Sequence, residues 1–516
     1  MRTPSLSRRS LLKGSAAAAM ASLTSPLPAF AQGHDRFVAR MERDVQNLDP
    51  AFRISTVEGN ILRATCQGLV TFKPDSTEWR LDAAQSIKQV SPTVIEFKLK
   101  PNQKFHGGYG TLSANDVRFS FMRFNNPPPG GKPATYASDW GQLADVEVTG
   151  PLAGRLVLKN PAPALWTTAL ADTSGVIVSK AAFEKLGDKV ATQVIGSGPY
   201  MQGEWVPEQR FVLRANPDWK GPKPAFREII LRPIQDSKTA DIAFRSDEVH
   251  FTRIDLAAFD DISKSTDAAT TKLDGIDYIW VGLNVEKPPL DNLKVRQAIR
   301  LAVDVDGALL AAYDGKVKRA KTLIPPPILG HWGEAPVYRR DVAAAKRLLG
   351  EAGLGSGLKL KLTVLNQATY RTAAQVIQAS LGEAGIQCEI DALDGGAFWS
   401  SGKEPKGKDL ELSLQLFKGK FDPSFYTQWF VSSQVGEWNW QRWKNPEYDA
   451  LHQKAASTLD AAERAKALVR MQQLMDESAA FIWLTHDVLT FAARRWLKPA
   501  LLPNGNDWQL GDFRAS

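Results

Sequence analysis

Residues 194–205, VIGSGPYMQGEW, place two glycines around a serine, a spacing that could open a phosphate-cradling loop. A dinucleotide loop needs a third glycine and then a helix whose N–H groups face the phosphates. Met201 stands where that glycine belongs, and Pro199 removes a backbone donor where donors are required. The residues that follow read as two strands joined by a Pro-Glu turn. Gly196, Ser197, Gly198 and Pro199 are therefore expected to shape a tight entry into a strand. A second chemical stretch is EWNWQRW, residues 437–443. If extended, it puts Trp438 and Trp440 on one face with Asn439 opposite. Two indoles in a cleft would stack on sugar rings, aromatic side chains or a cation; the alternative is a pair of core tryptophans beneath a loop. Arg442 offers a fork for a carboxylate, or is a surface arginine.

Catalytic constellations are missing. Six histidines, at 34, 106, 250, 331, 452 and 486, never pair at i, i+4, and no H-E-x-x-H occurs, so no built-in metal site is expected. Asp304 to Gly307 hints at a calcium loop, but Ala302 sits where an acid is needed, so these acids are expected to punctuate a helix end. There is no G-x-S-x-G, and spacing singles out no Ser/His/Asp set. No cofactor is expected.

Several elements must position these residues. Val94–Lys100 alternates as a strand, and Ser113 caps a helix carrying Val117, Phe121 and Phe124 at helical spacing. Residues 126–133 read as a Pro/Gly loop. Residues 210–224 read as a strand followed by a Pro/Gly-rich turn, and 228–234 as another strand. The strand Tyr278–Leu283 runs through a Pro-Pro turn into a helix with Val295, Ala298, Ile299 and Ala302 on its buried face. Residues 340–395 contain two αβ units in which GEAG closes each helix with a glycine at the C-terminal cap. Asn445 caps a late helix whose first turn takes Pro446, and a second amphipathic helix follows it.

The 516 residues favour two or three lobes, and 43% hydrophobic with 23% charged residues is ordinary for a globular protein. Fifteen tryptophans are many for this length, and some are expected to line a site. Residues 1–31 read as an export signal: Arg8-Arg9 after Ser7, a small-residue run and the cleavage pattern Ala29–Ala31. The paired arginines favour the twin-arginine route over general secretion. The segment holds four basic residues and no acid, so the mature chain would carry +4 of the +8 net charge. Nucleic-acid binding gets little support, because no basic run interleaves with aromatics. Cys66 and Cys388 are the only cysteines, and their spacing leaves pairing open. No cysteine follows the signal, so no lipid anchor is expected.

The stretch IGSGPYMQGEWVPEQRFVLRANPDWKG resembles a signature of the periplasmic solute-binding proteins for peptides and nickel (family 5, extracellular), which serve ABC importers. CQGLV, VIEFKLKPNQKFHGGYGTLSANDVRFSF, VGLNVEKPPLDNLKVRQAIRLAVD and NWQRWKNPEYDALHQKA resemble further blocks of that family in its order. The resemblance implies an α/β, two-lobed periplasmic-binding-protein fold (class II, large cluster) with a hinge and an extra subdomain on the first lobe. It places lobe I at residues 32–57, 186–276 and 490–516, the subdomain at 58–185 and lobe II at 277–489. The chain would cross between lobes near 277–284 and 484–490.

In the peptide-binding members an aspartate just before an Asp/Glu-Pro pair receives the peptide's amino group. Here the pair is Asp422-Pro423, and three places back lies Gly419, between Lys418 and Lys420. Two lysines would favour a carboxylate, phosphate or sugar acid; alternatively both face water and Asp422 does the pairing. Asn366, Tyr370, Trp280 and His486 match positions at strand ends or crossings that face the cleft in the family. The resemblance implies a non-enzymatic, monomeric periplasmic receptor that closes on a small ligand and hands it to an inner-membrane ABC permease. A peptide is the default ligand; an opine, sugar acid or oligosaccharide is the alternative. Rivals of other classes are an exported peptide or glycan hydrolase and a chaperone or sensor that borrows the fold. On this reading Trp440→Ala should weaken binding and leave the fold intact.

Overall fold

The strand Tyr278–Leu283 is buried on both faces, and its alternation shows how the second lobe is built. Ile279, Val281 and Leu283 point into one apolar layer with Val295, Ala298, Ile299 and Ala302 of the helix Leu293–Ala302. Tyr278 and Trp280 point the other way, into an aromatic layer with Phe417, Phe430 and Trp483. The protein is described by a computed structural model over residues 34–126 and 132–516. The export signal read over 1–31 and most of the 126–133 loop lie outside those residues.

Two large sheets carry the chain. The first has seven strands in the order Tyr200–Val206, Arg210–Ala215, Glu228–Pro233, Arg36–Met41, Phe251–Arg253, Val488–Arg494, Ala268–Asp274. The second has five, in the order Ile386–Leu393, Leu358–Leu365, Leu412–Phe417, Tyr278–Leu283, Phe481–Thr485. Only two backbone passages link these sheets among the described residues, at 275–277 and at 486–487. They run side by side, with Gly275 N–H donating to the Asp487 carbonyl at 3.0 Å. A four-stranded antiparallel sheet inserted into the first lobe contains Val94–Leu99 and packs on the helix Ala114–Asn125.

Local sequence rules account for much of this. Ser113 and Asp116 form a reciprocal capping box at the start of their helix. Gly353 and Gly385, the closing glycines of the two GEAG segments, have φ of +79° and +86°, a conformation glycine adopts without a side-chain penalty. Between them lie the strand Leu358–Leu365 and the helix Ala368–Glu383, and Ile386–Leu393 follows Gly385, parallel to the first strand. Asp304 caps the start of the helix Val305–Tyr313, where its carboxylate accepts the Gly307 N–H at 2.9 Å. Asn445 accepts from Tyr448 N–H at 3.0 Å, with Pro446 in the first turn. Cys66 and Cys388 are buried free thiols.

The glycines of GSGPY serve backbone contact. Gly198 N–H donates to the Thr65 carbonyl at 2.8 Å, and a Cβ at Gly196 would fall on that same carbonyl. His106 N–H donates to the Gly196 carbonyl at 2.8 Å, while its Nε2 and the Asn216 amide both donate to the Gly198 carbonyl. The turn thus ties the end of the helix Thr56–Thr65, the 105–108 loop and the Asn216 turn into one knot. The strand Tyr200–Val206 follows it, as expected.

Candidate ligand-binding cleft

The parallel strands Leu358–Leu365, Ile386–Leu393 and Leu412–Phe417 end at the same edge of the second lobe, beside the crossing passages. In open α/β sheets ligands bind outside such carboxyl ends. The residues just beyond these ends form an aromatic wall. Phe417 lies 6.1 Å from the Trp399 ring, 6.1 Å from Trp429 and 5.9 Å from Trp438; Trp429 and Trp438 are 5.9 Å apart, and Phe425 meets Trp429 at 5.4 Å. Phe417 is buried, whereas Trp399, Phe425, Trp429 and Trp438 keep part of their surface in contact with solvent. Lys403 Nζ stands 5.1 Å from the Trp438 ring, a cation–π distance.

The first lobe meets this wall through Lys420. Its Nζ pairs with Asp139 at 2.7 Å and lies 5.0 Å from the Phe425 ring and 5.3 Å from the Tyr136 ring. Phe421 beside it packs edge-on against Phe72 at 4.9 Å. Burial raises the Asp139 carboxyl above its ordinary range, and the Lys420 ammonium opposes the shift. Behind Tyr136, Arg53 stacks on its ring at 4.0 Å and pairs with Asp172 at 2.8 Å. Burial pushes Asp172 up, but Arg53 and Arg63 outweigh it and hold the carboxyl below its usual range.

The lip of the wall is FKGKFDP, residues 417–423. Lys418 pairs with Asp277 at 2.6 Å while its side chain stays 67% exposed. Gly419 N–H donates to the same carboxylate at 3.0 Å. A Cβ at Gly419 would fall on the Ile276 carbonyl and the Tyr426 hydroxyl, so glycine is what lets this loop touch the crossing passage. His486 is buried on the other passage and donates from Nδ1 to the Asp277 carbonyl at 3.0 Å. Tyr370 is half-buried near Asp277 and Asp487, and burial raises its hydroxyl pKa. Asn366 stands exposed at its strand end, bonded to Asp394 at 2.9 Å and to Arg371 at 3.0 Å.

The remaining sequence candidates are placed elsewhere. Residues 436–438 are a turn and not an extended strand, so Trp438 and Trp440 do not share a face. Trp438 joins the wall. Trp440 is 1% exposed, packed among Leu365, Phe398 and Leu410, with its N–H on the Glu437 carbonyl at 3.1 Å. Trp280 is fully buried in the middle of its strand, 5.5 Å from Tyr278 and 5.2 Å from Phe417. Asp422 is taken by Arg464, with two bonds of 2.7 and 2.8 Å. Arg442 bridges Glu286 at 2.5 Å and Glu404 at 2.8 Å with its side chain 8% exposed, which leaves no open fork for a ligand carboxylate. The structure thus brings Trp438, Lys418, Gly419, Asn366, Tyr370 and His486 to one edge and withdraws Trp280, Trp440, Asp422 and Arg442 into the protein's own packing.

Sequence reasoning missed Trp399, Phe425, Trp429, Tyr136, Asp139 and Asp277. The tryptophan count was the available signal; which tryptophans keep an exposed edge depends on packing.

Burial depresses the pKa of His486 to about 4, although its bond to the Asp277 carbonyl works in the opposite direction. The folded state thus disfavours the protonated ring relative to the unfolded chain, whose histidine titrates near 6.5. This contribution to stability is complete above the unfolded value and is lost as pH falls toward 4. The unfolding midpoint of His486→Gln should therefore decline less steeply than that of the unmodified protein between those limits. Parallel profiles in a pH series of thermal melts would remove His486 as the cause.

The profile of the bacterial extracellular solute-binding proteins, family 5 Middle, matches residues 78–438. The dipeptide-binding protein of Escherichia coli K12 is 27% identical, across 75% of this chain and 76% of its own length. The glutathione-binding protein GsiB of Pectobacterium atrosepticum is 25% identical, across 86% and 87%. The solved structure of HbpA2 from Haemophilus parasuis superposes with a TM-score of 0.85 at 22% identity, covering 93% of this chain and 100% of that one. No helix among the described residues is long and apolar enough to cross a membrane.

Proposed function

This chain belongs to the bacterial extracellular solute-binding proteins of family 5 and has their two-lobed class II fold, and from that premise we propose that it captures a peptide-sized organic solute against the aromatic wall and delivers it unchanged to an inner-membrane ABC permease. The relatives that bind a dipeptide and glutathione support the peptide class. The observation that carries the reading is the wall itself. Four aromatic side chains stay partly solvated at the carboxyl ends of parallel strands, around one buried Phe417, opposite Tyr136. Such surface is costly to leave in water and is retained where a guest covers it. No bond needs to be broken for this role. The receptor works in the periplasm as a monomer, and ligand shifts its population toward the state in which Lys420 and Asp139 are joined.

Three acids around the lip already have a cation: Asp277, Asp139 and Asp422 hold Lys418, Lys420 and Arg464. Exposed Lys418 favours, as a second reading, a ligand with an acidic group, such as an opine or sugar acid, which would exchange with Asp277 for the lysine.

Mass spectrometry of small molecules released from the purified protein, followed by thermal melts with di- and tripeptides, glutathione and acidic sugars, tests the proposal. A ligand at 100 times its Kd should stabilise the fold by about 2.7 kcal/mol. Cleavage of a peptide or glycan without stabilisation would refute it. Trp429→Ala and Trp438→Ala should each weaken binding about 3- to 10-fold with melting unchanged, the loss of one ring contact. Calorimetry showing full affinity in both variants would place the ligand away from the wall.

A further inference from the structure

Asp487 lies on the second crossing passage, between Phe481–Thr485 of the five-stranded sheet and Val488–Arg494 of the seven-stranded one. This is the edge at which the strand ends of the second lobe gather, beside Asp277 and His486. The backbone of Asp487 is pinned there. Its N–H donates to the Thr485 hydroxyl at 3.0 Å and its carbonyl accepts from Gly275. Its φ is +68°, which aspartate and asparagine tolerate better than other side chains.

The carboxylate is only partly spent. Oδ1 accepts the Val488 N–H at 2.8 Å. Oδ2 has no partner among the described residues and, on a half-buried residue, keeps contact with solvent. The cations near it are committed to other acids, Lys418 to Asp277 at 2.6 Å and Arg253 to Glu42 at 3.6 Å. His486 beside it, depressed to about 4, is neutral and supplies no charge. Burial raises the Asp487 carboxyl above its ordinary range and Asp277 adds to the shift, while the Val488 N–H, Lys418 and Arg253 oppose it. A cation entering the cleft would stabilise such a carboxylate, whereas an anion or an apolar group would leave it uncompensated.

Two further acceptors stand nearby. Tyr313 ends the helix Val305–Tyr313, and Tyr370 is the third residue of the helix Ala368–Glu383, which packs against it. Burial keeps both phenols protonated, and the Asp487 charge adds to that effect on each. Neither hydroxyl has a hydrogen-bond partner among the described residues. Neither is sealed from solvent, as the Tyr278 hydroxyl is. A primary ammonium carries three N–H donors, and one carboxylate oxygen with two phenol oxygens offers three acceptors.

We propose that Asp487, with Tyr370 and Tyr313, receives a primary ammonium group of the ligand in the interlobe cleft, an assignment that rests on the capture of a peptide-sized solute argued above. The test is calorimetry on the full chain with the dipeptide Ala-Phe and its N-acetyl form as probes. Ala-Phe should bind, and the acetyl form, which has no ammonium, about tenfold more weakly. Asp487→Asn keeps an acceptor for the Val488 N–H and the same backbone tolerance, so its melting should be unchanged. It should weaken Ala-Phe about tenfold and leave the acetyl form as it was. Tyr370→Phe should weaken Ala-Phe about threefold. If Asp487→Asn weakens both forms alike, or neither, the ammonium lies elsewhere and the assignment is overturned while the receptor role stands. Absence of Ala-Phe binding also overturns it; the receptor role then survives only if glutathione, a tripeptide or an acidic sugar stabilises the fold.

Discussion

Trp440→Ala is expected to lower the unfolding free energy by about 3–5 kcal/mol, the usual cost of deleting a buried indole from a packed core. The side chain is 1% exposed and touches Phe398 at 5.2 Å and Trp399 at 6.1 Å. Gly402 lies beneath it, and a Cβ there would fall on the indole, so the ring fills a space with little freedom to collapse. Truncation leaves a cavity next to Trp399, one member of the aromatic wall. Some loss of ligand affinity should follow, but as a consequence of softened packing. Sequence reasoning expects the opposite pattern, a normal fold with lost binding. Denaturant unfolding followed by circular dichroism separates the two: an unchanged midpoint in Trp440→Ala would return this residue to the ligand.

The second large effect is expected at Asp422. Asp422→Ala should destabilise the fold by about 3–5 kcal/mol, because it strands the Arg464 guanidinium without its counter-charge. The two side chains are 3% and 5% exposed. Arg464 also donates to the Ser424 hydroxyl and the Ala455 carbonyl, both at 2.8 Å, so it cannot swing into water without abandoning the turn it holds. The double variant Asp422→Leu with Arg464→Met removes both charges and should recover most of the loss. If Asp422 instead anchored a ligand ammonium, Asp422→Asn would abolish binding and leave stability unchanged. Chemical denaturation and calorimetry on the same variants decide between these outcomes.

Both predictions turn on a distinction visible along the chain. Features set by neighbours a few residues apart were legible without a structure. Helical spacing in 293–302, the Ser113 box, the Asn445-Pro446 start and the two GEAG ends all follow from local hydrogen bonds and backbone preference. The rejection of GSGPY as a phosphate loop was equally local, resting on a missing glycine and a misplaced proline. The seven- and five-stranded sheets follow less directly. Strand existence was readable, but their order depends on which edges meet after the chain has folded back.

The loops around the cleft were not legible. FKGKFDP presents two lysines and an aspartate as equals in sequence, yet their partners lie 141, 281 and 42 residues away, at Asp277, Asp139 and Arg464. EWNWQRW has a clean alternation, but it folds as a turn because Trp438 N–H and Asn439 N–H both donate to the Gln434 carbonyl at 3.0 Å. By itself, then, the amino-acid order determined the elements, their caps and the family of two-lobed receptors to which they belong. Only the tertiary structure decided which tryptophans and charges face the cleft. A side chain's neutralising or stacking partner is chosen by proximity in space, and in a low-dielectric interior that choice outweighs any preference written into the adjoining residues.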